Sequence, residues 1–377
     1  MNDEFPLHAD ICYLNHAAVS PWPKRTQNAV SKFAAQNTEY GATYYLDWLK
    51  VEASLRQRLA NLIGSPSSAD IALSKSTSEA LSIIAYGLEW SEGDEIIISN
   101  QEFPSNRIVW ESLASKGVKL RIADIDDIEH QDAVEAIAAE INENTKLISI
   151  SSVQYASGLK VDINRLGKIC HSKDILYCID AIQSLGAIDF DINKNHADFV
   201  VADGHKWMMG PEGLALLYVK PTIRDTLSIQ QYGWHMVEHR GDYTRKTWEP
   251  ASDATRFECG SPNMLGIHAL NASLSLIEDM GIKTIEQQLQ SNIAYLIEQL
   301  KTLPNVEILS PIKEADRAGI VTFKIAGVDS NKLYSELMQQ SVICACRGGG
   351  VRFSPHFYTQ KHVIDNAIKK VKSLTHT

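Results

Sequence analysis

Apolar residues follow two different spacings that alternate along the first two thirds of the chain. Short apolar runs typical of buried strands are separated by segments in which apolar residues recur with helical spacing. The runs predict strands at 71–73, 95–99, 118–122, 146–151, 175–180, 198–202 and 213–219. The helical spacing predicts helices at 23–37, 45–63, 77–88, 104–116, 129–141 and 162–173. Such alternation implies an α/β fold, with a mostly parallel seven-stranded sheet between helices.

The pattern changes after residue 255. Two long helices are predicted first, and a mixture of short strands and helices follows them. The predicted elements are helices at 263–280, 283–303, 330–340 and 360–375, and strands at 306–309, 319–326 and 342–346. We therefore expect an N-terminal segment over 1–22 that lies near the site, a large domain over 23–255 and a small C-terminal α+β domain over 256–377. A length of 377 residues suits two domains.

Charge and composition exclude several classes of partner. The chain has 36 basic and 46 acidic residues, a net charge of −10, which argues against a nucleic acid or an anionic membrane as a general partner. No apolar run approaches a membrane span, and the acidic Met1–Pro6 stretch is not expected to be a signal peptide. Six scattered cysteines are typical of reduced thiols, so we expect a cytoplasmic protein.

Two polar side chains directly follow predicted strands near the middle of the chain. Asp180 ends the strand at 175–180, and Lys206 lies on a glycine-flanked turn after the strand at 198–202. Ligands of such sheets bind at the carboxyl ends of strands. A lysine there could form a Schiff base, and the carboxylate could keep a pyridine nitrogen protonated. The alternatives are a solvated lysine and an aspartate that caps the next turn.

Three further features each permit a functional and a structural interpretation. The stretch Ser76–Glu79 fits a capping box, and its hydroxyls at a helix start could also bind an anion. Phe103 could stack on a flat cofactor or fill the core. Arg352, inside an apolar strand, needs an anionic partner, which could be a substrate carboxylate or a structural ion pair.

A competing motif indicates a different chemistry. His235, Glu238 and His239 match the H-x-x-E-H pattern of some zinc peptidases, which requires both histidines on one helix face. Gly233 and Gly241 flank the motif and favour a loop, so a zinc hydrolase is a remote alternative and we expect no metal. Dinucleotide-binding and Walker fingerprints are absent from the sequence.

The order of these motifs resembles that of the class V aminotransferase family of pyridoxal-phosphate enzymes, fold type I. The resemblance runs through Tyr13–Ala18, Asp180–Gln183, Gly204–Lys206, Arg256–Asn263 and Val351–Tyr358, and so covers essentially the whole chain. It implies pyridoxal 5'-phosphate as cofactor and a fold-type I transferase architecture. The family includes cysteine desulfurases, C–S lyases, kynureninase-like hydrolases, epimerase-like proteins and transaminases.

The resemblance also implies a role for each matching residue at the cofactor ring. Lys206 matches the Schiff-base lysine and proton shuttle, and Asp180 matches the partner of the pyridinium nitrogen. Gln183 matches the group near the ring hydroxyl. Phe103 matches the stacking aromatic residue, and Gln154 the polar residue over the ring.

Other residues match the phosphate contacts of the family. Thr77, Ser78 and His205 are implied to bind the phosphate. Asp203 stands where many relatives have a phosphate-binding hydroxyl residue, and its carboxylate cannot take that role directly. Ser261 resembles the hydroxyl contributed by a neighbouring subunit, which implies a homodimer with shared active sites.

The resemblance implies fewer residues for substrate binding than for cofactor binding. Arg352 matches the arginine that binds the substrate carboxylate, and Asn15 and His16 are candidate substrate contacts. In the desulfurases of this family a mobile loop just before that arginine carries the catalytic cysteine. Here 347–352 is too short for such a loop and has no cysteine, and Cys344 and Cys346 fit buried structural thiols.

These residues predict an enzyme that acts on a small α-amino acid. We expect an aminotransferase, with a C–S or β-elimination lyase or an epimerase as the alternative, since the fold does not choose among these reactions. A non-catalytic cofactor-binding regulator is a further alternative, although no basic patch or helix-turn-helix extension supports it.

Overall fold

The computed structural model describes residues 3–126 and 132–375. A short strand, β1 (Cys12–Tyr13), precedes the central sheet. The central sheet consists of β2 (Ile71–Ser74), β3 (Glu95–Ser99), β4 (Lys119–Ala123), β5 (Thr145–Ser151), β6 (Leu176–Asp180), β7 (Phe199–Asp203) and β8 (Ala215–Val219). Each strand begins and ends within two residues of its predicted bounds.

The seven described strands lie in the order β2-β8-β7-β6-β5-β3-β4. Strand β8 is antiparallel to both of its neighbours, and the other neighbouring pairs are parallel. Strands β3, β7 and β8 are buried along their whole length, because helices cover both faces of the sheet. The predicted mostly parallel α/β sheet is confirmed.

Helices connect and cover the strands. In the described residues they are α1 (Lys24–Tyr40), α2 (Tyr45–Ile63), α3 (Thr77–Gly87), α4 (Ser105–Glu111), α5 (Ala133–Ala139), α6 (Ile163–Ser172), α7 (Ile192–Asn195), α8 (Pro221–Arg224), α9 (Met264–Met280), α10 (Ile282–Leu300), α11 (Ser330–Gln339) and α12 (Lys361–Thr375). The predicted helix at 104–116 ends early as an α-helix and continues as a 3₁₀ helix, Ser112–Lys116. Part of the predicted helix at 129–141 lies outside the described residues. None of the described helices is both long and apolar enough to cross a membrane.

The C-terminal part of the chain forms a second sheet. Its strands are β9 (Val306–Ile308), β10 (Val321–Ile325), β12 (Ala345–Arg347) and β13 (Gly350–Phe353), in the antiparallel order β12-β13-β10-β9. The predicted strand at 342–346 is divided, because β11 (Val342–Ile343) pairs instead with β1, in parallel.

The apolar clusters change at a later residue than the predicted domain boundary. Residues of α9, such as Ile267 and Leu270, belong to the same apolar cluster as Leu55 and Leu59 of α2. From Leu289 onward, α10 joins the apolar cluster of the small domain. The predicted boundary at 255/256 marks the end of the strand–helix alternation, whereas the change in packing occurs within α10.

Candidate active site

The predicted site residues follow strands whose carboxyl ends lie along one edge of the sheet. Strands β3, β5, β6 and β7 are parallel, and β2 shares their direction because β8 is antiparallel to both β2 and β7. Asp180 is the last residue of β6, and Lys206 lies three residues beyond β7. The topology therefore gathers segments distant in sequence at this edge, as is usual for ligand sites of such sheets.

The turn that carries Lys206 is fixed by backbone hydrogen bonds and tight packing. Met209 N–H donates to the carbonyl of Lys206 at 2.9 Å, and Gly210 N–H donates to that of Gly204 at 2.8 Å. Gly186 has φ +93°, and a Cβ atom there would lie 2.4 Å from the carbonyl oxygen of Trp207, so only glycine allows this approach. The lysine side chain is therefore held on a rigid turn.

Lys206 and Asp180 are both buried, with 8% and 2% of their surfaces exposed. Burial lowers the pKa of Lys206, the carboxylate of Asp180 raises it, and the positive charge of Arg352 lowers it further. Burial raises the pKa of Asp180, which one backbone hydrogen bond from Ile182, at 3.0 Å, partly offsets. No carboxylate oxygen of the described residues lies within 4.0 Å of the lysine Nζ atom.

Phe103 and Gln154 approach the same edge from β3 and β5. The Phe103 ring is 40% exposed, and its centroid lies 5.6 Å from Nζ of Lys206 and 5.1 Å from the ring of Tyr155. Gln154 is fully buried, and its Oε1 atom receives no hydrogen bond from the described residues. A flat exposed ring beside a buried amine suits a planar ligand.

Gln183 differs from its expected role. Its Oε1 atom accepts a hydrogen bond from the indole N–H of Trp207 at 2.7 Å, and its Nε2 atom donates to the carbonyl of Ala17 at 3.0 Å. Both polar atoms of the amide therefore hold the Lys206 turn and the N-terminal segment together. The second N–H of Nε2 and the second lone pair of Oε1 remain for a contact with a ring hydroxyl.

The expected phosphate residues meet at the start of α3. Ser76 caps the helix by accepting from the N–H of Glu79 at 3.2 Å, which confirms the capping role. The Thr77 hydroxyl accepts from the N–H of Asp203 at 3.1 Å, which leaves its own proton free to be donated. The Ser78 hydroxyl lies 2.8 Å from that of Ser105, at the start of α4. A helix start with free N–H groups and a free hydroxyl proton suits an anion.

Asp203, for which the sequence gives no role, lies beside His205. Its Oδ1 atom is 2.8 Å from Nδ1 of His205, and both side chains are largely buried. Neither of these two atoms makes a hydrogen bond with the described residues, so the contact places the carboxylate beside the imidazole without fixing the orientation of the ring. Ser20 N–H donates to the carbonyl of His205 at 2.8 Å, which anchors the N-terminal segment to the turn.

Arg352 is 2% exposed on β13. Its Nη1 atom donates to the carbonyl of Tyr155 at 2.6 Å, and its Nε atom has no hydrogen-bond partner in the described residues. Burial lowers the pKa of Arg352 to about 10, and the positive charge of Arg347 contributes to that fall. No carboxylate of the described residues lies within 4.0 Å of the Arg352 guanidinium, so these residues provide no ion pair for this cation.

Within the two strands of the hairpin of β12 and β13, Cys346 faces away from Arg352. Ala345 lies directly opposite Arg352 in the β12–β13 pair, so these two side chains share a face. Alternation along a strand then directs Cys346 to the opposite face, where its cross-strand neighbour is the buried Val351. Cys344 lies just before β12 and is 2% exposed. Burial raises its pKa to about 12, and the positive charge of Arg352 acts on it, lowering its pKa against this larger effect of burial.

The two candidate substrate contacts in the N-terminal segment, Asn15 and His16, differ in whether their polar atoms have protein partners. Asn15 forms an isolated bridge with Ser354, and its Oδ1 atom is buried without a donor in the described residues. His16 is fully buried, and its two ring nitrogens lie 2.7 Å from the Ser354 carbonyl and the Tyr358 hydroxyl. Both ring nitrogens of His16 therefore have protein partners, and its expected contact with a substrate stays a prediction that these hydrogen bonds do not support. Burial lowers its pKa to about 4.

Ser261 lies apart from Lys206 within one chain. It is exposed, and it lines a cavity of about 480 Å³ with Ser74, Lys75 and Glu79, close to the start of α3. A contribution from a neighbouring subunit remains a prediction.

The zinc motif does not form a metal site in the described residues. His235 is buried and lies within 4.8 Å of Glu52 and Glu258, but not of His239. The two glutamates already bind Arg56 at 2.6 Å each. His235 to His239 adopt no helix, as the flanking glycines predict, so the remote zinc-hydrolase alternative lacks the helical geometry that its motif requires.

Four structural contributors were not identified from the sequence. They are Glu102, Trp207, Ser20 and the carbonyl of Tyr155. Glu102 lies three residues beyond the buried strand β3, so a carboxylate shortly after a buried strand was an available signal. Ser20 and Tyr155 contribute through backbone groups, which leave no pattern in the sequence, and Trp207 contributes an indole N–H whose partner, Gln183, lies 24 residues away.

The donors and acceptors of the site fit pyridoxal 5'-phosphate. Its phosphate suits the start of α3, its aldehyde suits the buried amine of Lys206, and its ring nitrogen supplies the cation that buried Asp180 lacks. Gln154 and Arg352 keep buried polar atoms without partners in the described residues. Such atoms are costly unless a bound group satisfies them.

Comparisons with known proteins agree with this fit. The family described as Aminotransferase class-V matches residues 12–363. The probable cysteine desulfurase of Methanothermobacter thermautotrophicus is 28% identical over 96% of this chain and 94% of that protein. The probable cysteine desulfurase of Pyrococcus abyssi is 29% identical over 98% of this chain and 96% of that protein.

Solved structures share the architecture. The apo structure of a cysteine desulfurase from Thermococcus onnurineus NA1 has a TM-score of 0.89 and 26% identity, covering 100% of this chain and 97% of that chain. The cystine C–S lyase C-DES, solved with its product cysteine persulfide, shares the fold at a TM-score of 0.91 and 22% identity, covering 98% of this chain and 99% of that chain. With the family match over nearly its whole length, this chain belongs to the aminotransferase class-V family and is a pyridoxal-phosphate-dependent enzyme of fold type I.

Proposed function

We propose that the chain is a C–S lyase that releases sulfur from a small sulfur-containing α-amino acid by β-elimination. The names of the relatives support a cysteine-like substrate, because both are probable cysteine desulfurases. They favour the lyase alternative over the expected aminotransferase. The observation that carries the proposal is the hairpin of β12 and β13, where no cysteine shares a face with Arg352.

A desulfurization that passes sulfur to the enzyme needs a reactive thiolate near the substrate. Cys344 is buried with a raised pKa, and burial also raises the pKa of Cys346, which lies on the far face of the hairpin. Thiolates, not thiols, act as nucleophiles. Sulfur is therefore expected to leave with its own electron pair as a free product.

Substrate binding would rest on charge pairing at a buried arginine. Arg352 would hold the substrate carboxylate through Nε and the free Nη2 donors, while Nη1 remains on the Tyr155 carbonyl. This contact sets the orientation of the substrate Cα–H bond relative to Lys206. The low dielectric of the buried site strengthens the pairing.

The cofactor would be held by Lys206 at its aldehyde, by Asp180 at its ring nitrogen and by Thr77, Ser78 and His205 at its phosphate. When bound, the ring withdraws electrons from the substrate Cα. The substrate amine would take the place of Lys206 at the aldehyde and release the lysine amine. Because burial lowers the pKa of Lys206, that freed amine can accept the Cα proton near neutral pH.

The reaction balances without an external oxidant or amino acceptor. The Cα proton passes to Lys206, and the Cβ–S bond breaks with both electrons on sulfur, which leaves as a thiol or persulfide. Water then releases ammonia from the remaining three-carbon fragment, which becomes a 2-oxo acid. For cysteine the products are hydrogen sulfide, ammonia and the 2-oxo acid.

A product assay distinguishes the reactions of this family. The enzyme is incubated with cysteine or cystine, with and without an added 2-oxo acid as amino acceptor. We expect 2-oxo acid and ammonia in equal amounts without the acceptor, and neither product with Lys206→Ala. Formation of 2-oxo acid only with the acceptor would indicate an aminotransferase. Formation of alanine would indicate a desulfurase, and formation of a D-amino acid would indicate an epimerase.

A further inference from the structure

A buried polar network lies beneath the candidate site and centres on the carboxylate of Glu102, which is 6% exposed. It accepts hydrogen bonds from the Ser99 hydroxyl at 2.8 Å, from Asn106 Nδ2 at 2.8 Å and from Gln154 Nε2 at 3.0 Å. Ser151 adds its N–H at 3.0 Å and its hydroxyl at 2.5 Å. All these neighbours donate, so the carboxylate is fully satisfied although no cation among the described residues forms an ion pair with it.

The network leaves the amide of Gln154 only one orientation. Its Nε2 atom lies among three acceptors: Glu102, the Ser99 hydroxyl at 3.2 Å and the Ser151 carbonyl at 3.3 Å. The Ser99 hydroxyl already gives its proton to Glu102, so it can only accept from Gln154. A flipped amide would place an oxygen against these acceptors, and the carboxylate would repel it most strongly.

The other end of the amide is left without a partner. Oε1 of Gln154 is buried and receives no hydrogen bond from the described residues. An unsatisfied buried acceptor costs about 1–3 kcal/mol, so a donor from a bound group would recover that cost. Gln154 lies three residues beyond β5 at the edge that carries Asp180 and Lys206, where the cofactor fits.

We propose that Glu102 is a positioning residue that fixes Gln154 with only its oxygen, an acceptor, towards the cofactor. The site then favours the form of the bound cofactor that carries a proton at the atom facing Gln154. This inference rests on the cofactor assignment and not on the elimination reaction. Its test therefore uses the bound cofactor without substrate.

The test measures two properties of the enzyme reconstituted with pyridoxal 5'-phosphate. The first is the dissociation constant of the cofactor, and the second is the pH midpoint of its visible absorbance change. Gln154→Met removes the acceptor, and Glu102→Gln allows the Gln154 amide to flip. We expect each variant to raise the dissociation constant about tenfold and to move the midpoint to lower pH by about one unit.

Two further variants distinguish a positioning role of Glu102 from a general loss of structure. In the double variant Glu102→Gln/Gln154→Met the effects should not add, because Glu102 acts through Gln154. Ser151→Ala removes a donor from the other oxygen of Glu102, leaves Gln154 in place and should keep the wild-type midpoint. Additive effects, an equal shift in Ser151→Ala, or an unshifted midpoint in Gln154→Met would each overturn the proposal. If Glu102→Gln does not fold, the comparison of Gln154→Met with Ser151→Ala can still overturn the proposal, because an unshifted midpoint in Gln154→Met would show that the acceptor does not act on the cofactor.

Discussion

Replacing Arg352 by glutamine should separate substrate binding from stability. Burial lowers the pKa of this guanidinium from 12.5 to about 10, which corresponds to about 3 kcal/mol of unfavourable free energy for the charged form in the fold. The substitution removes that cost and the hydrogen bond to the Tyr155 carbonyl, which contributes about 1 kcal/mol. The free energy of unfolding should therefore stay the same or rise by up to about 2 kcal/mol.

The same substitution should weaken substrate binding strongly. Loss of a buried, charge-assisted contact with a carboxylate costs about 2–5 kcal/mol, which is roughly a 30-fold to several-thousand-fold fall in kcat/KM. Urea unfolding measures the stability, and release of sulfide from cysteine measures kcat/KM. A variant destabilised by more than about 2 kcal/mol with unchanged kcat/KM would refute the reasoning, because that result indicates a structural role.

A buried arginine elsewhere in the small domain provides a matched control. Arg317 is 6% exposed, donates to the carbonyl of Ile312 and to Gln290, and lies in no ion pair of the described residues. Arg317→Gln should change stability without changing kcat/KM.

Three other outcomes follow from the structure. Thr77→Ala should raise the cofactor dissociation constant about tenfold, measured by absorbance titration, because one free hydroxyl donor is lost; an unchanged constant would contradict the phosphate role. Asp180→Asn should retain bound cofactor but lose nearly all turnover in the sulfide assay, since the ring nitrogen loses its anionic partner; full turnover would contradict that role. The folded pKa of His16 is about 4, below its unfolded value of 6.5, so its contribution to stability is complete above pH 6.5 and declines as the pH falls towards 4, by about 3 kcal/mol. Urea unfolding between pH 7 and 4 measures this loss, and His16→Gln should remove that part of the pH dependence.

Periodicity predicted the central sheet well because its strands are short, apolar and separated by helices. The strand bounds depend on local sequence, and the order at the carboxyl edge follows from parallel pairing. The predicted boundary at 255/256 stays a prediction, and the change in apolar packing within α10 could not be found in this way. Helix α9 has an apolar face whose partners, α1 and α2, lie about two hundred residues earlier in the chain.

The site was predictable where a residue type alone carries its chemistry, as for Lys206 and Asp180. It was not predictable where one neighbour decides the role. His16 has the same sequence signal whether it faces a substrate or is enclosed by Ser354 and Tyr358. Asp203 gained an interpretation only from its 2.8 Å contact with His205.

The most direct test of the proposed lyase follows the carbon and sulfur of cysteine in a single turnover. Wild-type enzyme and the Cys344→Ala/Cys346→Ala variant are each mixed with an equal amount of cysteine, without an amino acceptor. We expect 2-oxo acid, ammonia and free sulfide in equal amounts from both proteins. Alanine as the product, or loss of sulfur release in the variant, would contradict it.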